Sequence, residues 1–215
     1  MNFNPTINQN NNIQRKGKTL SSIATSRNTL VDNIFSKSIT TDIFLVVFGV
    51  TLTAIAAQIQ IPVSPVPFTF QTLAVLLIGA SYGATRAAVT MSAYAVAGLV
   101  GIPVFAGASS GPAVIVGATG GFILGFIFAA ALTGYLAERN WSKNPFKMFL
   151  NFTFGSILIY AFGIPVLAMV AFEANLIQAA TIMLPYMIWD ALKAVIAGTS
   201  LPAVWLLVQK LKQSK

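Results

Sequence analysis

Asp190 and Lys193 are the residues of this 215-residue chain best suited to do chemistry. They stand three apart within an apolar stretch, so on a helix both side chains project from one face. A charge at the centre of a bilayer helix costs about 2.5–3.5 kcal/mol on insertion scales, and ionisable residues kept in such segments are functional sites by default. Lysine can donate to a carboxylate while aspartate accepts from N–H groups, which suits a small zwitterion-like or amphiphilic ligand. Two other uses of the pair stay open: it can satisfy only itself, or Asp190 can carry a proton.

The elements that must hold this pair are read from composition. The chain is 56% hydrophobic and 8% charged, and between Ile43 and Leu136 its one formal charge is Arg86. Soluble domains carry about 25% charged residues. The pattern predicts a polytopic membrane protein, all-α, because lipid offers no partner to an unpaired backbone. Turn and charge signals divide it into six hydrophobic segments, at about 42–61, 68–80, 84–100, 114–137, 148–172 and 177–208. The second is short for a span, and Pro165, Pro185 and Pro202 interrupt the last two. Residues 1–40, rich in Asn, Ser and Thr, read as a polar, disordered cytoplasmic tail, and 41–215 as a six-helix membrane domain. Within that tail, Leu20 to Phe35 has the spacing of a weak amphipathic helix lying on the membrane.

The net charge of +8 does not point to nucleic acid, because the positive residues flank apolar segments instead of forming one solvated face. With the N-terminus inside, all twelve Lys and Arg other than Lys193 fall on the cytoplasmic side; the reverse orientation misplaces every one. Both termini are therefore expected in the cytoplasm. The uncharged Pro/Gly-rich connections at 62–67 and 101–112 then lie outside. If the sixth helix enters the membrane near Pro185, Asp190 lies ~7–8 Å deep and Lys193 ~12 Å deep. A pocket in the outer leaflet, roofed by the two connections, is the expectation.

The chain has no Cys and no His, so thiol catalysis and Cys- or His-ligated metal are excluded, and no metal or cofactor is expected. It carries no Gly-x-x-x-x-Gly-Lys-Ser/Thr loop and no nucleophile–base–acid set, so it reads as a non-enzyme. Small residues recur at four-residue spacing as Gly49, Thr53 and Ala57, and as Gly117, Gly121, Gly125 and Ala129. Such stripes let helices approach closely. The second reads as internal packing; the first fits either packing or docking of a partner subunit. Thr69 and Gln71 open the second segment, and Phe68, Phe70, Tyr94, Phe105 and Trp189 lie near the outer connections.

The runs Pro65-Val-Pro-Phe-Thr-Phe-Gln-Thr-Leu73, Tyr94 with Gly101-Ile-Pro-Val-Phe-Ala-Gly107, Gly117-Ala-Thr-Gly-Gly-Phe-Ile-Leu-Gly-Phe126, and Asp190-Ala-Leu-Lys193 occur in one order across most of residues 42–210. In this the chain resembles the BioY family, the biotin-specific substrate-capture (S) components of energy-coupling-factor transporters. The resemblance implies a six-helix bundle in a bacterial plasma membrane, taking up biotin through a pocket near the outer leaflet. It implies ligand contacts at Asp190 and Lys193, the lysine favoured for the carboxylate and the aspartate for the ureido N–H groups. Thr69, Gln71, Tyr94, Phe105 and Gly107 follow as further pocket candidates. It also implies docking of a transmembrane coupling subunit with an ATPase pair, or self-association, along Gly49, Thr53 and Ala57, where Thr stands at a position usually Ala. The alternative is a proton-coupled secondary transporter of another small carboxylate.

Overall fold

The computed structural model describes residues 29–36 and 38–213. Residues 1–28 of the expected tail lie outside the described residues, and with them the first part of the predicted surface helix. The described end of that stretch forms a short helix, α1 (Leu30–Ile34), with Leu30 and Val31 buried.

Each of the six hydrophobic segments contributes a helix: α2 (Ile39–Gln58), α3 (Gln71–Tyr82), α4 (Ala84–Leu99), α6 (Gly120–Glu138), α7 (Pro145–Ala171) and α8 (Leu176–Gln213), with a four-residue α5 (Pro112–Ile115) before α6. The chain is thus an all-α, multi-pass membrane protein. Among the described residues four helices, α2, α6, α7 and α8, are long and apolar enough to cross a membrane. The 12 residues of α3 and 16 of α4 span only about 18 and 24 Å, against a hydrocarbon thickness of about 30 Å. The starts follow local chemistry. Ser38 caps α2 by accepting from the Thr41 N–H, and Asn144 caps α7 by accepting from the Lys147 N–H, with Pro145 in the first turn.

Helix α6 is the central element, packed against α3, α4 and α7, while α8 closes the bundle against α7 and α3. The packing role expected for its glycine stripe is realised. A Cβ on Gly121 would sit 2.5 Å from the Phe162 carbonyl oxygen, and one on Gly125 3.0 Å from the Ile159 backbone. Gly117, however, precedes α6, because the fourth segment breaks at 116–119. At Gly120 the chain doubles back so closely that a Cβ would lie 1.7 Å from the Ile115 oxygen.

The stripe on α2 faces inward as well. Gly49, Thr53 and Ala57 are buried, and a Cβ on Gly49 would meet Thr90 at 2.6 Å. At Gly49 the close neighbours are Thr90 of α4 and Tyr82 and Ile78 of α3, as the packing alternative expects. The opposite face of α2, with Ile43, Phe44, Val47 and Phe48, is the one turned outward.

The two ends of the bundle differ in chemistry. At one end Glu138 accepts from the Ala84 N–H at the α3–α4 turn, where Gly83 holds φ +86°, a conformation that favours glycine. Trp205 donates to Ser142 there, and Lys143 stands 4.5 Å over the Trp205 ring. Arg86 lies at the same end and ties three helices together: its Nη2 donates to Asp32 on α1 at 2.8 Å and its Nε to Asp42 on α2 at 2.6 Å. Asp42 is half-exposed and contributes little by itself, whereas Asp32 is nearly enclosed. Replacing Arg86 with glutamine is expected to destabilise the solubilised protein by about 1–3 kcal/mol. A thermal-unfolding series that includes Asp32→Asn, which should recover part of the loss, checks this.

At the other end Gln60–Ile61 (β1) and Phe68–Thr69 (β2) pair antiparallel, Gln60 opposite Thr69 and Ile61 opposite Phe68. Two-residue strands are too short to leave a period-2 signal in the sequence. Gln58, at the end of α2, binds the 101–111 connection twice, donating to the Phe105 carbonyl at 3.0 Å and accepting from the Ala108 N–H at 2.8 Å.

Candidate functional site

Beneath the hairpin and the second connection lies a cavity of about 290 Å³. That is near the lower end of the ~300–1,000 Å³ typical of small-ligand sites. Its walls are Pro65–Thr69 and Gln71 from the first connection and the start of α3, Phe105, Ala106 and Ser109 from the second connection, Gly117–Thr119 and the first turns of α6, Ile159 and Tyr160 of α7, and Met183 and Tyr186 of α8. Most of this lining is apolar, and the charge is confined to Asp190 and Lys193.

Those two are 6% and 8% exposed, and Lys193 Nζ lies 2.8 Å from Asp190 Oδ1. The ammonium also donates to the Thr69 carbonyl at 2.9 Å and the Thr72 hydroxyl at 3.1 Å, so each of its three N–H bonds has an acceptor. The faces of Phe68 and Phe70 stand 4.8 and 5.5 Å from the nitrogen. The carboxylate accepts from Thr72 at 2.8 Å and, on its other oxygen, from the Tyr160 hydroxyl at 2.7 Å. Two charges in a dry wall are tolerated because every one of these bonds is made.

The predicted residues divide into two layers. Thr69, Gln71, Phe105, Asp190 and Lys193 line the cavity. Tyr94 and Gly107 do not. Tyr94 is fully buried behind the wall, where its hydroxyl accepts from Gln71 at 2.6 Å and donates to the Val104 carbonyl at 2.9 Å. Gly107 serves the turn of the second connection, with φ +65°. Thr69 in turn donates to Gln71, so one chain of hydrogen bonds joins the hairpin, α3, α4 and the second connection. Tyr94→Phe leaves Gln71 and Val104 without this partner. It is expected to cost about 1–3 kcal/mol of stability and to loosen the roof, seen as faster amide exchange over 101–111.

Sequence reasoning missed Thr72, Tyr160 and Tyr186, whose hydroxyl donates to the Val66 carbonyl at 2.6 Å and pins the hairpin to α8. Phe68 packs between Tyr186 and Trp189, with ring centroids at 5.3 and 6.0 Å. A lone tyrosine in the middle of an apolar segment was the available signal for Tyr160.

Helix α8 runs unbroken through Pro185 and Pro202 for 38 residues, about 57 Å, far more than a bilayer core. The depth of the ion pair is therefore not fixed by where the helix begins.

Fold and site together define a multi-pass helical membrane protein with a pocket lined in part by a buried ion pair. Its fold is that of a solved S-component for biotin from an ECF-type ABC transporter: the TM-score is 0.66 over 83% of this chain and 95% of that one, at 20% identity. The chain belongs to the BioY family, whose profile matches residues 24–210. It is 35% identical over 149 residues to a protein named biotin transporter BioY from Thermotoga maritima, covering 68% of this chain and 85% of that protein. A biotin transporter BioY from Rhizobium etli is 35% identical over 141 residues, 62% of this chain and 75% of the relative.

Proposed function

We propose that this protein captures biotin and passes it inward as the S component of an energy-coupling-factor transporter. In this reading six helices cross a bacterial plasma membrane, and the charged end of the bundle, with both termini, faces the cytoplasm by the positive-inside rule. The pocket then opens toward the outer leaflet. The transmembrane coupling subunit and ATPase pair supply the energy, since the sequence has no phosphate loop of its own.

The observation that carries the reading is a mostly apolar cavity whose charged lining is one Asp–Lys pair. Biotin is divided in the same way: a ureido group with two N–H donors and one carbonyl, an apolar thioether ring and chain, and a carboxylate at the far end. We favour an assignment of polar groups other than the one the resemblance implied. The tips of Asp190 and Lys193 meet at one point, so they cannot read opposite ends of one ligand. An acceptor beside a donor matches an N–H beside a carbonyl. We therefore assign the pair to the ureido group, Asp190 accepting from the N–H and Lys193 donating to the oxygen in exchange for its bond to Thr72 or to the Thr69 carbonyl. Phe122, Ile123 and Met183 pack on the apolar remainder.

Equilibrium binding of biotin to the purified, solubilised chain tests this directly. Saturable tight binding is expected; a folded protein that binds no biotin overturns the reading. In cells, uptake should follow ATP supply. Uptake that instead follows an imposed pH gradient would favour proton coupling.

A further inference from the structure

Asp190 is held by more than its ion pair. An ionised carboxylate offers about four lone-pair positions. Thr72 and Lys193 occupy the two on Oδ1, and Tyr160 occupies one on Oδ2, leaving a single acceptor position. Tyr160 and Asp190 both line the cavity, and they come from different helices, α7 and α8. The Tyr160 ring is fixed in turn, edge-on to Phe122 at 6.1 Å, and Gly163, one turn further on, leaves the Phe122 ring no room to retreat, since a Cβ there would lie 2.3 Å from it. The hydroxyl is therefore set by packing that does not involve the ion pair.

Resting on the biotin reading above, we propose that Tyr160 is a positioning residue: its hydroxyl holds Asp190 so that one carboxylate position, and one only, faces the ligand. The carboxylate turns about its Cβ–Cγ bond, and Lys193 and Thr72 hold that torsion through Oδ1 alone. The bond from α7 holds it a third time, through Oδ2. With it, the ligand meets a fixed acceptor; without it, the carboxylate must be oriented at the moment of binding. The residue also makes α7 part of the site, although α7 carries no charge beyond Lys147 near its start.

The test uses the full-length solubilised chain. Biotin affinity is measured by titration calorimetry for wild type and Tyr160→Phe, which keeps the ring against Phe122. Thermal unfolding without ligand is followed for wild type, Tyr160→Phe, the apolar pair Asp190→Leu/Lys193→Met, and all three changes together. The expected result is about a 10-fold weaker affinity for Tyr160→Phe, the cost of ordering the carboxylate as the ligand binds. Its unfolding midpoint should fall in the wild-type background and not in the apolar one, because the hydroxyl then has no carboxylate to hold. An affinity within two-fold of wild type overturns the inference. So does an equal fall of the midpoint in both backgrounds, which would make Tyr160 a packing residue only. A wild type that binds no biotin overturns the proposed ligand, and the unfolding cycle then decides alone: coupling sustains Tyr160 as the residue that fixes Asp190, and additivity rejects it.

Discussion

Replacing Lys193 with alanine is expected to weaken biotin binding by at least 100-fold and to lower the stability of the ligand-free protein by about 3–5 kcal/mol. Both effects have the same origin. The ammonium is the hub of the polar end of the pocket, bound at once to Asp190, Thr69 and Thr72. Its removal leaves Asp190, which is 6% exposed, as a buried carboxylate without a counter-charge. It also frees the Thr69 carbonyl, one of the ties between the hairpin and α8. The ligand loses its donor as well as a pre-aimed acceptor. Hydrogen bonds to charged groups are worth about 1.5–3 kcal/mol each, so one lost contact and one misaligned one account for the predicted fold-change. The double change Asp190→Leu/Lys193→Met separates the two effects. An apolar pair of similar volume removes the unpaired charge, so stability should return while binding does not. Thermal unfolding and equilibrium binding on the three proteins read this out. Binding by Lys193→Ala at wild-type strength would remove the ion pair from the site.

The second large effect is expected far from the pocket. A Cβ on Gly134 would lie 2.4 Å from the Gly83 carbonyl carbon, 2.5 Å from the Ala84 nitrogen and 2.7 Å from the Gly83 oxygen. All three are backbone atoms of the α3–α4 turn, which is held by the Gly83 conformation and by Glu138 on the Ala84 N–H. No side-chain rotation can relieve the clash; α6 must part from the turn. Gly134→Leu is expected to destabilise by about 3 kcal/mol or more, at the upper end of overpacking effects, and to reduce the amount of folded protein recovered from membranes. Gly198→Ala is the control, because its nearest neighbour would be 3.4 Å away, an ordinary contact at its lower limit. A Gly134→Leu protein that melts with wild type would show that α6 and the turn are not in close contact.

The sequence by itself determined the class of the protein and the outline of its site. Transfer free energy is a sum over neighbouring residues, so the apolar segments and their punctuation were readable without knowing what any segment touches. The same held for the isolation of Asp190 and Lys193 and for the face they share, since three residues always return to one side of a helix. The bundle end that gathers the positive charge followed from counting.

What tertiary structure alone decided were the partners. The polar end of the pocket joins Thr72 to Asp190 across 118 positions and Tyr160 to Asp190 across 30. No local pattern encodes such distances; they follow from which helix crosses which, and at what height. The same reason moved Tyr94 from the wall to the layer behind it. It turned the Gly49–Thr53–Ala57 stripe inward, since small residues specify a close approach without naming what approaches. It also broke the fourth segment at Gly117–Gly120, where returning backbone leaves no room for a Cβ beside Ile115. Chemistry that lies within one turn of helix was legible in the chain; chemistry that needs two helices was not, because it is set by packing.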